Sequence, residues 1–198
     1  MRISVILYEN FETLDVFGPV EAFGKVDDFS INFYSLKGGL TVNRDNLQIQ
    51  TRNLNEALGC TDILFIPGGW GTREEIKNKS FIDMIQELGK QAEYILSVCT
   101  GSAILAKTNL LDGRKATSNK RAFDFPASLN NKVNWIKKAR WVEDGNIFTS
   151  SGISAGTDMA LAFIAKLKGA HNAKEIASIM EYKWNNDPDC DEFSSFAG

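Results

Sequence analysis

Ile95-Leu96-Ser97-Val98-Cys99-Thr100-Gly101-Ser102-Ala103 runs from an apolar strand pattern into a small-residue helix start, with a cysteine at the corner. A nucleophile elbow has this layout. Its tight strand-to-helix turn excludes bulky neighbours and lifts the corner side chain clear of the carboxyl end of the sheet. The N–H groups and partial positive charge of the helix start point at the corner atom, which predicts a favoured thiolate, the nucleophilic form, for Cys99. The competing interpretation is a cysteine that fills space at a strand end, as free cysteines often do. The Gly101-Ser102-Ala103 start weighs against it.

Outward from the elbow, Ile63-Leu64-Phe65-Ile66 is a second continuous apolar run, closed by Pro67-Gly68-Gly69-Trp70. Such runs suit strands buried on both faces. Arg2 to Tyr8 and Phe29 to Leu36 read as further strands, and Leu40 to Thr51 as a hairpin around Asn43-Arg44-Asp45-Asn46. The apolar spacing of Thr13 to Val26 is helical but broken at Gly18-Pro19, so the main helix is placed from Pro19. Helices are predicted over Phe81–Gln91, Gly101–Lys107, Ala122–Leu129, Ser154–Leu167 and Ala173–Trp184. Strands are predicted at Arg114–Thr117, and at Trp135–Val142 and Asn146–Ser150 around an Asp144-Gly145 turn. Strands alternating with helices predict an α/β fold: one mostly parallel sheet of about six strands, covered on both faces. Residues 1–184 read as one domain. Residues 185–198 read as an acidic tail, packed on the domain or trailing it, with Asp187, Asp189, Asp191 and Glu192 solvated.

Composition narrows the function. The net charge of −3 shows no basic patch, which argues against nucleic acid as a partner. No segment approaches a membrane span and no secretory leader is evident, so a cytoplasmic protein is expected. Three scattered cysteines argue against a disulfide framework. The single histidine, His171, excludes a zinc site built on a histidine pair, and it serves a catalytic Cys-His pair only if the fold carries it to a cysteine. Its Lys168-Gly169-Ala170-His171-Asn172 context reads as a surface turn. No metal or cofactor is expected.

Two other features can join the elbow. The Gly68-Gly69 turn ends a strand expected beside the elbow strand, and its amides can form an oxyanion hole; the alternative is a plain turn. Trp70 follows and can line a pocket. Asp15, just after the first strand, can act as acid or base at the elbow, or else be a helix-start carboxylate complementing the dipole. Glu12 and Glu21 read as solvated.

The order Leu14-Asp15-Val16-Phe17-Gly18-Pro19, Ile66-Pro67-Gly68-Gly69, Val98-Cys99-Thr100-Gly101 and Thr149-Ser150-Ser151-Gly152-Ile153-Ser154-Ala155-Gly156 resembles the ThiJ/PfpI superfamily over essentially the whole chain. The resemblance implies the class I glutamine amidotransferase-like fold, a flavodoxin-like three-layer α/β/α sandwich, and a homodimer. Leu14 to Pro19 and Cys99-Thr100-Gly101 look most like the isonitrile hydratase branch, and also like sensor domains linked to AraC-type DNA-binding domains. The hydratase likeness implies a small-molecule substrate with Cys99 as nucleophile and Asp15 as proton donor. It also implies Thr100 orienting water or sulfur, and charge stabilisation by amides near Gly69 and Trp70. The peptidase branch carries histidine where Thr100 stands, which disfavours the rival protease or amidase reading. A ligand or redox sensor is the non-enzymatic alternative.

Overall fold

The computed structural model describes residues 1–196; Ala197 and Gly198, the end of the expected tail, lie outside the described residues. The strands are β1 (Arg2–Ile6), β2 (Ser30–Ser35), β3 (Gly39–Val42), β4 (Gln48–Asn53), β5 (Ile63–Ile66), β6 (Tyr94–Val98), β7 (Lys115–Ala116), β8 (Asn134–Trp135), β9 (Trp141–Asp144) and β10 (Ile147–Ser150). The helices are α1 (Thr13–Phe23), α2 (Thr72–Glu75), α3 (Lys79–Gln91), α4 (Gly101–Lys107), α5 (Asp124–Leu129), α6 (Ala155–Lys168) and α7 (Ala170–Ile179).

The main sheet runs β3-β4-β2-β1-β5-β6-β10-β9. All pairings from β4 to β10 are parallel, and the two outer strands, β3 and β9, are antiparallel to their neighbours. The sheet has eight strands against the six or so expected: β1, β2, β5, β6 and β10 fall in the predicted strands, β3 and β4 in the predicted hairpin over Leu40–Thr51, and β9 overlaps the end of the strand predicted over Trp135–Val142. β5 is buried at every position, as a strand covered on both faces must be. Helices α1, α6 and α7 pack together as one layer, and α2 to α5 form the other. The α/β fold is as expected. Among the described residues, no helix is long and apolar enough to cross a membrane.

This topology places the site. β1 connects to β2 on one side, while β5 lies on its other side. The loops leaving β1 and β5 therefore diverge to opposite faces and open a crevice at the carboxyl ends of the strands. The Tyr8 hydroxyl ties the two loops by donating to the Pro67 carbonyl, at 2.5 Å.

Several element boundaries differ from the sequence reading. α1 starts at Thr13 and carries Pro19 inside it, which places Asp15 in its first turn. Proline costs the helix one hydrogen bond there. The neighbouring Gly18 lies against Thr157 of α6, so the break in the sequence pattern is a helix-helix contact and not a helix start. The expected strand over Trp135–Val142 is split: Trp135 pairs with β7 in a separate ribbon, and β9 begins at Trp141. His171 lies in α7, not in a turn, because that helix begins at Ala170.

The acidic tail also differs. Asp187, Asp189 and Glu192 are exposed, but Asp191 is buried. It lies 3.8 Å from the Lys120 amine and 3.9 Å from the Arg140 guanidinium. Arg140 also donates to the buried Asp158 at 2.7 Å, and Asp158 accepts from the Tyr182 hydroxyl and the Asn185 N–H. Burial lowers the Lys120 amine to about 8, against the pull of Asp191, and raises the Asp158 carboxyl. Removing one partner of such a cluster strands the others in a low-dielectric interior. Asp158→Ala is therefore expected to cost about 3–5 kcal/mol in denaturant unfolding; a loss below about 1 kcal/mol, the scale of an exposed pair, would contradict this account.

Candidate active site

Cys99 stands at the end of β6 with φ 56°, in the left-handed region that a side chain normally avoids. Four contacts hold it there. Its N–H is shared between the Ser150 and Ser151 carbonyls at 3.2 Å each, and its carbonyl accepts from the Ser118 hydroxyl at 2.9 Å and the Ser102 hydroxyl at 3.1 Å. Gly101 permits the turn, since a Cβ there would run into the Ile66 and Pro67 carbonyls. The thiol is nearly buried, at 6% exposure, and forms part of the wall of an open cavity of about 240 Å³.

Asp15 reaches the same point from α1. A Cβ built on Gly68 would lie 2.7 Å from Asp15 Oδ2, 2.8 Å from Cys99 Cβ and 2.6 Å from the Thr100 nitrogen, so the three groups converge around that glycine. The Gly68 N–H donates to Oδ2 at 2.9 Å. Oδ1 is buried and has no hydrogen-bond partner of ordinary geometry. Burial holds the Asp15 carboxyl well above the carboxylate range, against the Gly68 bond; the charge of Glu12 adds to the rise and contact with Cys99 opposes it. Burial also pushes the Cys99 thiol up, reinforced by the charge of Asp15 and opposed by the Thr100 N–H and the Asn119 amide. The expected lowering by the helix start is therefore overcome, because desolvation of the anion outweighs the two donors. Two acids in one dry cage do not both ionise, and they lose their protons as a pair. Both groups therefore hold their protons more tightly than in water, Asp15 because a single N–H donor faces its carboxylate and burial outweighs it.

The oxyanion-hole reading needs correction. The Gly68 N–H is engaged by Asp15, and the Gly69 N–H donates to the Thr100 hydroxyl at 3.1 Å. The Thr100 hydroxyl in turn donates to the Gly69 carbonyl and accepts from Thr72, so it latches the β5 loop and is not free to orient water. The Gly68 and Gly69 amides are thus both engaged, and the antiparallel bridge between Phe11 and Gly69 turns the Trp70 N–H toward the Asn10 carbonyl. Trp70 itself is exposed and lines the cavity with the Arg73 guanidinium stacked 4.2 Å from its ring centroid. Glu12 lines the cavity too, and so is not simply solvated. Sequence reasoning missed Arg73, Asn119 and Arg121, whose surrounding residues carry no motif. His171 is exposed on α7 and does not line the cavity.

These features define a class: an α/β protein with a cysteine on a strained elbow and a buried acid beside it. The DJ-1/PfpI family model matches residues 1–166, and the chain belongs to that family. It is 30% identical over 182 residues to an isonitrile hydratase of Pseudomonas putida, covering 92% of this chain and 78% of that protein. It is 24% identical to the HTH-type transcriptional regulator CdhR of Pseudomonas aeruginosa, over 87% of this chain but only 52% of the regulator. Among solved structures, a ThiJ/PfpI family protein from Pseudomonas syringae superposes with a TM-score of 0.85 at 30% identity, covering 94% of this chain and 76% of that one. Drosophila melanogaster DJ-1beta shares the fold, with a TM-score of 0.81 at 21% identity over 92% of this chain and 98% of its own.

The raised carboxyl of Asp15 has a stability consequence with a definite sign. The folded state keeps a proton that the unfolded chain releases, so this group favours folding fully only below the ordinary carboxylate range. Its contribution is lost as pH rises toward the higher folded value. Asp15→Asn, which keeps the shape without the charge, is expected to melt above the parent at neutral pH, with the gap closing toward about pH 4. Melting curves across that range check it; a gap independent of pH would contradict a buried, proton-holding Asp15.

Proposed function

We propose that the chain is a cysteine-dependent lyase similar to isonitrile hydratase, adding water to an isonitrile carbon to give an N-substituted formamide. The observation that carries the reading is a cage holding one thiol and one proton-retaining carboxyl, with no imidazole at the cavity. Its likeness to the Pseudomonas putida hydratase points the same way. Three free cysteines suit a reducing compartment, and we assign the protein to the cytoplasm as a homodimer.

In the reaction, the Cys99 sulfur adds to the terminal carbon of R–N≡C while the Asp15 proton goes to the same carbon and the thiol proton replaces it on Asp15, giving the thioimidate R–N=CH–S–Cys99. Asp15 gives its proton to nitrogen and takes one from water as the water oxygen adds to that carbon. Asp15 then accepts the hydroxyl proton of the adduct and returns its own to the sulfur as the C–S bond breaks. The formamide R–NH–CHO leaves, and the Cys99 thiol and the Asp15 carboxyl are restored. Thr100 positions rather than reacts: its N–H faces the sulfur and its hydroxyl holds the β5 loop. The Asn119 amide, also directed at the sulfur, stabilises it as it leaves.

Formamide production from a panel of simple isonitriles, read by mass spectrometry, tests the proposal. Cys99→Ala is expected to abolish turnover, Asp15→Asn to reduce it by roughly 10²-fold or more, as loss of general acid-base catalysis does, and His171→Ala to leave it near the parent rate. A hydrolase would instead act on amides or peptides and would need His171 as its base. Turnover of those substrates, lost in His171→Ala with the fold intact, would replace the lyase reading.

A further inference from the structure

The charged groups lining the Cys99 cavity are unevenly matched. Arg73 and Arg121 stand against one carboxylate, Glu12. Among the described residues neither guanidinium is paired with an acid. Arg73 is held by aromatic rings instead, 4.2 Å from the Trp70 centroid and 4.7 Å from that of Phe125. Stacking fixes the plane of a guanidinium while leaving its N–H edge free to donate. Arg121 lies 5.6 Å from the Phe196 ring and also lines a neighbouring cavity of about 450 Å³, which shares Asn119 and Ile153 with the first.

Two guanidiniums against one carboxylate leave one positive charge unbalanced. Asp15 and the Cys99 thiol add no negative charge while they keep their protons. A monoanion neutralises the cavity; a dianion overshoots. The flat N–H fork of a guanidinium matches the two oxygens of a carboxylate. Resting on the reading of Cys99 as nucleophile, we propose that Arg73 and Arg121 are the recognition end of this cavity and select substrates whose electrophilic carbon sits on a short chain ending in a carboxylate. For a hydratase, that class is the isocyano-carboxylates.

Paired alkylating agents test the charge selection without requiring any turnover. Iodoacetate and iodoacetamide each let the sulfur displace iodide, and they differ at the far end in a carboxylate against a neutral amide. The readout is the ratio of Cys99 labelling rates for the two reagents, normalised to the exposed Cys60 of the same chain. The native protein is expected to favour iodoacetate relative to Cys60. Arg73→Gln together with Arg121→Gln is expected to lower the ratio roughly tenfold, the scale of losing charge-assisted hydrogen bonds, with the iodoacetamide rate nearly unchanged. Lys174→Gln, on the exposed surface of α7, makes the same charge change as one of these substitutions and should leave the ratio alone. If Arg73→Gln disturbs the Trp70 stack and lowers both rates, Arg121→Gln alone decides, because Arg121 is exposed and, among the described residues, stacks only on Phe196. An unchanged ratio in Arg121→Gln and in the double variant, or an equal fall in Lys174→Gln, overturns the proposal. A falling ratio with no formamide from any isonitrile would retire the hydratase and keep the carboxylate site. Formamide from neutral isonitriles with an unchanged ratio would do the reverse.

Discussion

Asp15 has no exposed surface, and only one of its two oxygens is hydrogen-bonded, to the Gly68 N–H. A carboxylate so placed is expensive, and it lowers the cost by keeping its proton. The loop after β5 must bring Gly68 close enough to donate without a side chain in the way. The elbow after β6 must bring Cys99 to the same place. The result is an acid held dry against a sulfur, with the acid's charge raising the sulfur's affinity for a proton.

The scaffold meets that demand with its most rigid parts. The three approaching segments leave adjacent parallel strands, β1, β5 and β6, and the end of β10 with Ser151 just beyond it supplies the carbonyls that fix the Cys99 N–H. The unfavourable φ of Cys99 persists because hydrogen bonds on both sides of it over-determine the conformation. A second buried cluster, Arg140 with Asp158 and Asp191, fastens the segment after α7 to the domain. That segment carries Phe193 and Phe196 to the wall of the cavity beside the site. One ionic cluster thus secures an outer wall, while the Asp15 cage forms part of the inner one.

Much of this was legible in the sequence. The continuous apolar runs at Ile63–Ile66 and Tyr94–Val98 announce strands covered on both faces, and the Val98-Cys99-Thr100-Gly101 corner announces the elbow. What escaped was tertiary. The Gly18-Pro19 break reads locally as a helix start, and only the approach of Thr157 shows that the glycine serves packing. The Gly68 and Gly69 amides look free until Asp15 and Thr100 are placed against them. The direction of the thiol's shift depends on burial, which no local pattern reports. Asn119, Arg73 and Arg121 come from loops and a short helix with no motif, and they gain meaning only by lining one cavity with Cys99.

The protonation of Asp15 is the hinge of the account, and infrared difference spectroscopy between the parent chain and Asp15→Asn reads it directly. At neutral pH the account predicts that the band lost on substitution is that of a protonated carboxyl in an apolar setting, and that Cys99→Ala leaves the protonated band in place, because burial is its first cause. Loss of an ionised carboxylate band instead would show that Asp15 carries the charge, and would contradict its role as the proton donor.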